Sequence, residues 1–145
     1  MRTFFALITS TFVALAYVYF LRLLVSKRVL SSTISRKILH IFVGPLYICC
    51  WRLYDETGDS TRWIASTVPG AITIAFASVG FGFIHDSNLV RTMSRSGKSA
   101  ELLKGPVLYG LAHVIITIAI WRDHPAGIIA LCCLCGGDGL AELIG

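Results

Sequence analysis

Two carboxylates, Asp138 and Glu142, close a segment that is otherwise apolar enough to lie in a membrane. The other six acids of the chain, Asp55, Glu56, Asp59, Asp86, Glu101 and Asp123, stand in short polar stretches between apolar runs. An acid inside a membrane-spanning segment is costly unless it faces a cavity, a cation or a partner, so its default reading is functional. Four residues apart, the two would share one helix face if the helix runs through them. Gly136, Gly137 and Gly139 surround Asp138, and each glycine weakens a helix by about 0.8 to 1 kcal/mol relative to alanine. Broken backbone within a membrane is tolerated where it lines a cavity. Intact or broken, the segment offers the same chemistry. One or two carboxylates can ligate Mg²⁺, whose octahedron is completed by water and substrate phosphates, and bare glycine backbone lets phosphates come close. The glycines also admit a second reading, close helix packing of the small-xxx-small kind.

Phosphates need positive charge, and the chain carries 13 Lys and Arg against 8 Asp and Glu. Arg36 and Lys37 precede one apolar run, while Arg91, Arg95, Lys98 and Lys104 precede another. Such cations neutralise phosphates, but basic loops also mark topology and bind anionic headgroups. Ser96-Gly97-Lys98-Ser99 has the tail of a Walker A motif, yet Thr92 stands where its first glycine belongs and no strand precedes it, so that reading is rejected. His40 follows Arg36 by four residues and His113 follows Tyr109 by four. Each histidine is open to two readings, a hydrogen-bonded packing residue or a base. The five cysteines, Cys49, Cys50, Cys132, Cys133 and Cys135, all sit inside apolar runs without zinc-site spacing. They read as small hydrophobes that pack between helices.

The elements that must position these groups are membrane helices. The chain is 55% hydrophobic and 14% charged, which excludes an ordinary soluble domain. Apolar stretches cover residues 4–21, 38–54, 63–85, 105–121 and 126–145, each near the ~20 residues that cross a bilayer as a helix. They are apolar on all sides rather than alternating, so helices are favoured over barrel strands. The expected fold is therefore an all-α, polytopic transmembrane bundle of about five spans, forming one domain over residues 1–145. Arg2 and Ala14-Leu15-Ala16 imitate a secretory signal, but the apolar run continues through Tyr17-Val18-Tyr19-Phe20-Leu21, so a retained first helix is expected. Gly105-Pro106 opens the fourth span, where proline fits the first helical turn. Lys27, Arg28, Arg36 and Lys37 follow the first span, and the basic cluster of residues 91–104 follows the third. The positive-inside rule puts both on the cytoplasmic side or its equivalent. The fifth span then starts outside. At ~1.5 Å per residue Asp138 lies about 18 Å and Glu142 about 24 Å along it, near the inner face that also receives Arg36, Lys37, His40, Lys104 and Gly105.

The motifs Ser35-Arg36-Lys37-Ile38-Leu39-His40-Ile41, Met93-Ser94-Arg95-Ser96-Gly97, Glu101-Leu102-Leu103-Lys104-Gly105-Pro106-Val107-Leu108-Tyr109 and Gly137-Asp138-Gly139-Leu140-Ala141-Glu142-Leu143-Ile144-Gly145 resemble, in order and spacing, the phytol and farnesol kinases of the polyprenol kinase family. The resemblance implies Mg²⁺-dependent transfer of phosphate from a nucleoside triphosphate, usually CTP, to the hydroxyl of an isoprenoid alcohol. It implies a multi-pass protein of a plastid or endoplasmic reticulum membrane, with the alcohol, the nucleotide and the bilayer as partners and no nucleic acid. By that resemblance Asp138 is the metal-binding or catalytic carboxylate and Glu142 its acidic companion. Gly137 and Gly139 shape the nucleotide pocket with Gly136 beside them. Arg95, Lys104 and Gly105 match the basic loop that also holds Lys98, and Arg36, Lys37 and His40 match the second-span motif. Family members continue past the final glycine with further spans, so the chain is expected to be the N-terminal part of such an enzyme. Two other classes stay open: a non-catalytic truncated paralogue or transporter-like bundle using Asp138 as a cation site, and a lipid cytidylyltransferase that releases pyrophosphate.

Overall fold

The structure, a computed structural model, describes residues 1–55, 60–137 and 139–141. Among the described residues all regular structure is helical: α1 (Arg2–Ser26), α2 (Ser32–Trp51), α3 (Thr61–Gly80), α4 (Ser87–Met93), α5 (Glu101–Lys104), α6 (Pro106–Ala119) and α7 (Pro125–Cys132), which runs into one π-helical turn, Cys133–Gly137. Three helices are long and apolar enough to cross a membrane, namely Arg2–Ser26, Thr61–Gly80 and the continuous stretch Glu101–Ala119 formed by α5 and α6. The helix α2 has 20 residues, but Arg36, Lys37 and its serines make it less apolar than those three. The last apolar helix, Pro125–Ala141, is shorter than they are.

Local chemistry sets the boundaries. Ser31 caps α2 by accepting from Ile34 N at 3.3 Å, and Asp86 caps α4 by accepting from Leu89 N at 2.9 Å. Each satisfies an amide that the first helical turn leaves without an intrahelical partner. Arg36 and Lys37, expected in the loop after the first span, instead lie inside α2, because the Ser31 cap starts that helix six residues before Ile38. Pro125 occupies the first turn of α7, where a missing N–H does no harm. Hydroxyls within the apolar helices bond back to their own backbone, as Ser10 does to Ala6 O at 2.7 Å, Thr73 to Pro69 O at 2.7 Å and Thr117 to His113 O at 2.6 Å. No water competes in lipid, so these internal bonds are required.

Packing divides the bundle into two buried cores. One gathers Tyr47, Trp51, Tyr54, Val68, Trp121 and Leu131, and the other gathers Leu21, Leu39, Phe76, Val79, Met93 and Leu102. Each core underlies a polar pole. At the pole of the first core, Arg122 donates to Trp51 O at 2.9 Å and Asp55 O at 3.1 Å, and Thr3 Oγ1 donates to Asp55 at 2.9 Å. At the other pole, Arg22 Nη2 meets both carboxylate oxygens of Asp86 at 3.0 and 2.9 Å. The loops thus segregate as their charges predict: residues 26–32 and 84–104 share one end, called here the inner pole, and residues 51–55 and 120–125 share the opposite one. Phe4, Phe12, Leu15, Tyr19 and Phe20 remain exposed along α1, as a lipid-facing surface requires.

Candidate active site

Asp138 and Glu142, the centre of the sequence reading, lie outside the described residues. The described residues on either side of Asp138 pack against α2. The π turn Cys133–Gly137 ends the regular α7 helix just before Asp138, and single-turn π segments are frequent at functional sites. Cys135, buried within that turn, seats against Gly44 of α2: a Cβ built on Gly44 would stand 2.1 Å from Cys135 Sγ. On the far side of Asp138, Gly139 is buried against Ile41, and a Cβ there would lie 2.5 Å from Ile41 Cγ1. Only glycine permits both approaches, so the closing segment is held against the α2 face that bears His40. By contrast a Cβ on Gly136 or Gly137 would meet nothing within 4 Å among the described residues.

A polar network joins α2, α6 and the π turn at this level. The Tyr109 hydroxyl donates to His40 O at 2.7 Å and lies 2.6 Å from Cys135 Sγ. One hydroxyl has one proton, so with His40 O accepting it the Cys135 thiol is left to donate. His113 Nδ1 is 2.9 Å from Tyr109 O; a carbonyl only accepts, so Nδ1 carries the hydrogen and Nε2, 3.8 Å from Cys135 Sγ, is the acceptor. The rings of His40 and Tyr109 meet edge to face at 4.5 Å, and those of Tyr109 and His113 lie 4.6 Å apart. The spacing of Tyr109 and His113 was visible in the sequence, but their shared partner Cys135 was not, because its neighbours give it no polar signature.

The basic elements surround this network at the inner pole. Arg36 is buried and lies within electrostatic reach of Glu101. Glu101 in turn accepts from the amides of Arg95 and Ser96 and from the Ser96 hydroxyl. Its carboxylate therefore folds the loop of residues 94–100 back onto α5. Gly97, at φ 78°, supplies the left-handed turn that this loop needs. Arg95, Lys98, Lys104 and Gly105 are exposed and Lys37 is half-buried. The side chains of Lys98 and Lys104 make no hydrogen bond or ion pair with the described residues, and both residues are exposed. The structure thus gathers Arg36, Lys37, His40, Arg95, Lys98, Lys104, Gly105 and Gly139 at one pole. Among the described residues no three His, Cys, Asp or Glu could together hold a metal.

From the Tyr109 level a cavity of about 80 Å³ extends into the bundle between α1, α2, α3 and α6. Its walls are almost wholly apolar, with Val13, Val43, Leu46, Ile72 and Phe76 among them.

No protein-family model matches the chain, and no solved structure matches it. Curated proteins do. A probable chloroplastic phytol kinase of Triticum aestivum is 36% identical over 122 residues, covering 84% of this chain and 40% of that protein. The chloroplastic phytol kinase 1 of Arabidopsis thaliana is 34% identical over 122 residues, covering 84% and 40%. The chloroplastic farnesol kinase of Arabidopsis thaliana is 36% identical over 117 residues, covering 81% and 38%. This chain is a homologue of the phytol and farnesol kinases. It spans about two-fifths of the length of these relatives. The inner-pole cluster and the apolar cavity adjoin at Tyr109, which belongs to the polar network and also lines the cavity.

Proposed function

We propose that this chain carries the catalytic part of a membrane-embedded kinase that transfers the γ-phosphoryl group of CTP to the hydroxyl of an isoprenoid alcohol. The observation that carries the reading is the junction at Tyr109, where an apolar cavity meets a cluster of cations and the π turn that leads to Asp138. The kinship with proteins named phytol kinase and farnesol kinase supports it. The donor set suits Mg²⁺, a hard cation that takes one or two carboxylates and keeps phosphates and water as its other ligands. Asp138 and Glu142 would hold it, and when bound it neutralises the triphosphate. Arg95, Lys98 and Lys104 meet the phosphates as point charges or forks, and the bare backbone at Gly136 and Gly137 lets them approach closely. The alcohol oxygen forms a bond to the γ-phosphorus as the bridging bond to the β-phosphate breaks. CDP leaves, and the hydroxyl proton passes to a carboxylate of the Asp138–Glu142 pair. Such transfer requires in-line positioning and charge neutralisation more than covalent help. The finer topology follows the same reading: five spans, with α2 and the segment from Pro125 onward completed by neighbouring protein, in a plastid membrane like that of the relatives named chloroplastic.

The test uses membranes carrying the full-length gene product, labelled CTP, and phytol, farnesol or geranylgeraniol. The expected products are a prenyl monophosphate and CDP, formed with Mg²⁺ and lost in Asp138→Asn. Absence of that product, full activity in Asp138→Asn, or release of pyrophosphate in place of CDP would overturn the reading.

A further inference from the structure

We infer that the cavity between α1, α2, α3 and α6 is the slot for the hydrocarbon tail of the alcohol, that it admits one methyl-branched chain, and that it grips about two isoprene units. The inference rests on the proposed function for the identity of the alcohol, but its location and dimensions come from the bundle itself. Two polar rungs cross between α2 and α6: the Tyr109 hydroxyl donates to His40 O at 2.7 Å, and the Tyr47 and Thr117 hydroxyls lie 3.2 Å apart. Eight residues separate the rungs along α6, which is about 12 Å of helix. The cavity is lined on α1 from Ser10 to Val18 and on α3 from Val68 to Phe76, eight steps each and therefore again about 12 Å.

Spread over that length, about 80 Å³ of space for the centres of water-sized spheres makes a channel roughly 1.5 Å in radius to those centres, and roughly 3 Å to its walls once the ~1.4 Å sphere is added. That is the girth of one extended hydrocarbon chain and too narrow for a fused-ring lipid. Four carbon–carbon bonds of ~1.5 Å, staggered, advance about 5 Å per isoprene unit, so two units fit between the rungs. One end of the slot reaches Tyr109, where the cations and the Gly139 segment gather, and so takes the hydroxyl. The other end is lined by Tyr47, whose ring meets that of Trp51 at 5.8 Å, and Trp51 in turn lies 5.0 Å from Trp121. An apolar void of this kind stays dry and binds hydrocarbon.

The 145-residue chain in lipid nanodiscs, photolysed with a farnesol analogue carrying a diazirine on its second isoprene unit, tests this by mass-spectrometric mapping of the label. The expected label falls on the inward positions of α1 and α2, such as Ala14, Val43 and Leu46. Geraniol, with two units, should displace the probe nearly as well as farnesol. A five-carbon prenol should be roughly 20-fold weaker, the loss that corresponds to leaving half of the slot empty. Val43→Trp and, independently, Ala14→Leu should each lower labelling at least tenfold, with helix content by circular dichroism unchanged. The lipid-facing Leu15→Phe should leave labelling as it is. Label on the exposed α1 positions Phe12, Leu15 or Phe20, or undiminished labelling in the folded one of the two slot variants, overturns the inference. A full-length product that phosphorylates prenols while the label falls elsewhere sinks only the slot; specific slot labelling without any prenyl phosphate sinks only the kinase reading.

Discussion

The seat of Cys135 on Gly44 holds the π turn Cys133–Gly137 against α2, and a double-mutant cycle measures it. In Gly44→Ala the new methyl would sit 2.1 Å from Cys135 Sγ, 3.2 Å from Cys135 Cβ and 3.5 Å from Leu131 O. The sulfur cannot give way by a few tenths of an ångström; it must turn away from Tyr109 and His113, or α2 and the π turn must part. Overpacking of this kind costs about 1–3 kcal/mol, against a gain of about 0.8 to 1 kcal/mol from replacing glycine by alanine within a helix. Gly44→Ala should therefore destabilise the bundle by up to about 2 kcal/mol. Cys135→Ala alone forfeits one weak polar contact and a buried sulfur, again about 1 kcal/mol. In the double variant the Sγ atom is gone and the closest remaining contact, at 3.2 Å, needs only a slight adjustment. Its loss should fall short of the sum of the singles by about 1–2 kcal/mol, the range seen for residues in contact. Reversible unfolding of the 145-residue chain in mixed detergent, followed by circular dichroism, gives the four values. Strict additivity would refute the reasoning, because it would mean that Gly44 and Cys135 are not in contact in the folded bundle.

Glu101→Ala should free the basic loop: amide exchange at Arg95 and Ser96 should quicken at least tenfold, whereas Glu101→Gln, which still accepts, should change less. Asp86→Ala removes both the Arg22 pair and the α4 cap, and should lower stability by about 1–2 kcal/mol; Asp86→Asn keeps a capping oxygen and should recover about half of that in the same unfolding assay. Tyr109→Phe removes the hydroxyl that joins α2 to α6 and should cost about 0.6–1.7 kcal/mol, the range for interhelical hydrogen bonds in membranes. In the full-length protein, the same variant should lower kcat for prenol phosphorylation more than it raises KM for CTP.

Much of the bundle was legible because loop charge and apolar length are additive along the chain. Counting lysines and arginines put residues 26–32 and 84–104 at one end, and the Arg22–Asp86 and Arg122–Asp55 contacts join residues at the expected opposite poles. Boundaries were less legible where a cap outweighed hydropathy. Ser31 begins α2 well before its apolar residues, and so carries Arg36 into the bundle rather than leaving it in a loop. The number of spans depends on such ends: α2 is long enough to cross but diluted by its own basic turn, and the apolar helix Pro125–Ala141 passes through a π turn and is shorter than the three that can cross.

The site was legible in kind but not in its contacts. Glycines around an acid left open whether the helix runs through them, and α7 passes into a π turn at Cys133. What composition could not carry was which glycines touch and which stand open. Gly139 and Gly44 are filled by neighbours from another part of the chain, while Gly136 and Gly137 are not, and nothing local separates these cases. The same holds for Cys135, which packs as a small hydrophobe by its burial yet also shares the Tyr109 hydroxyl. A residue that is both packing and network links the position of the carboxylate segment to the width of the cavity below it, since Tyr109 belongs to both. A change that shifts the π turn should therefore disturb hydrocarbon binding as well as phosphate chemistry, and the two should fail together in Gly44→Ala.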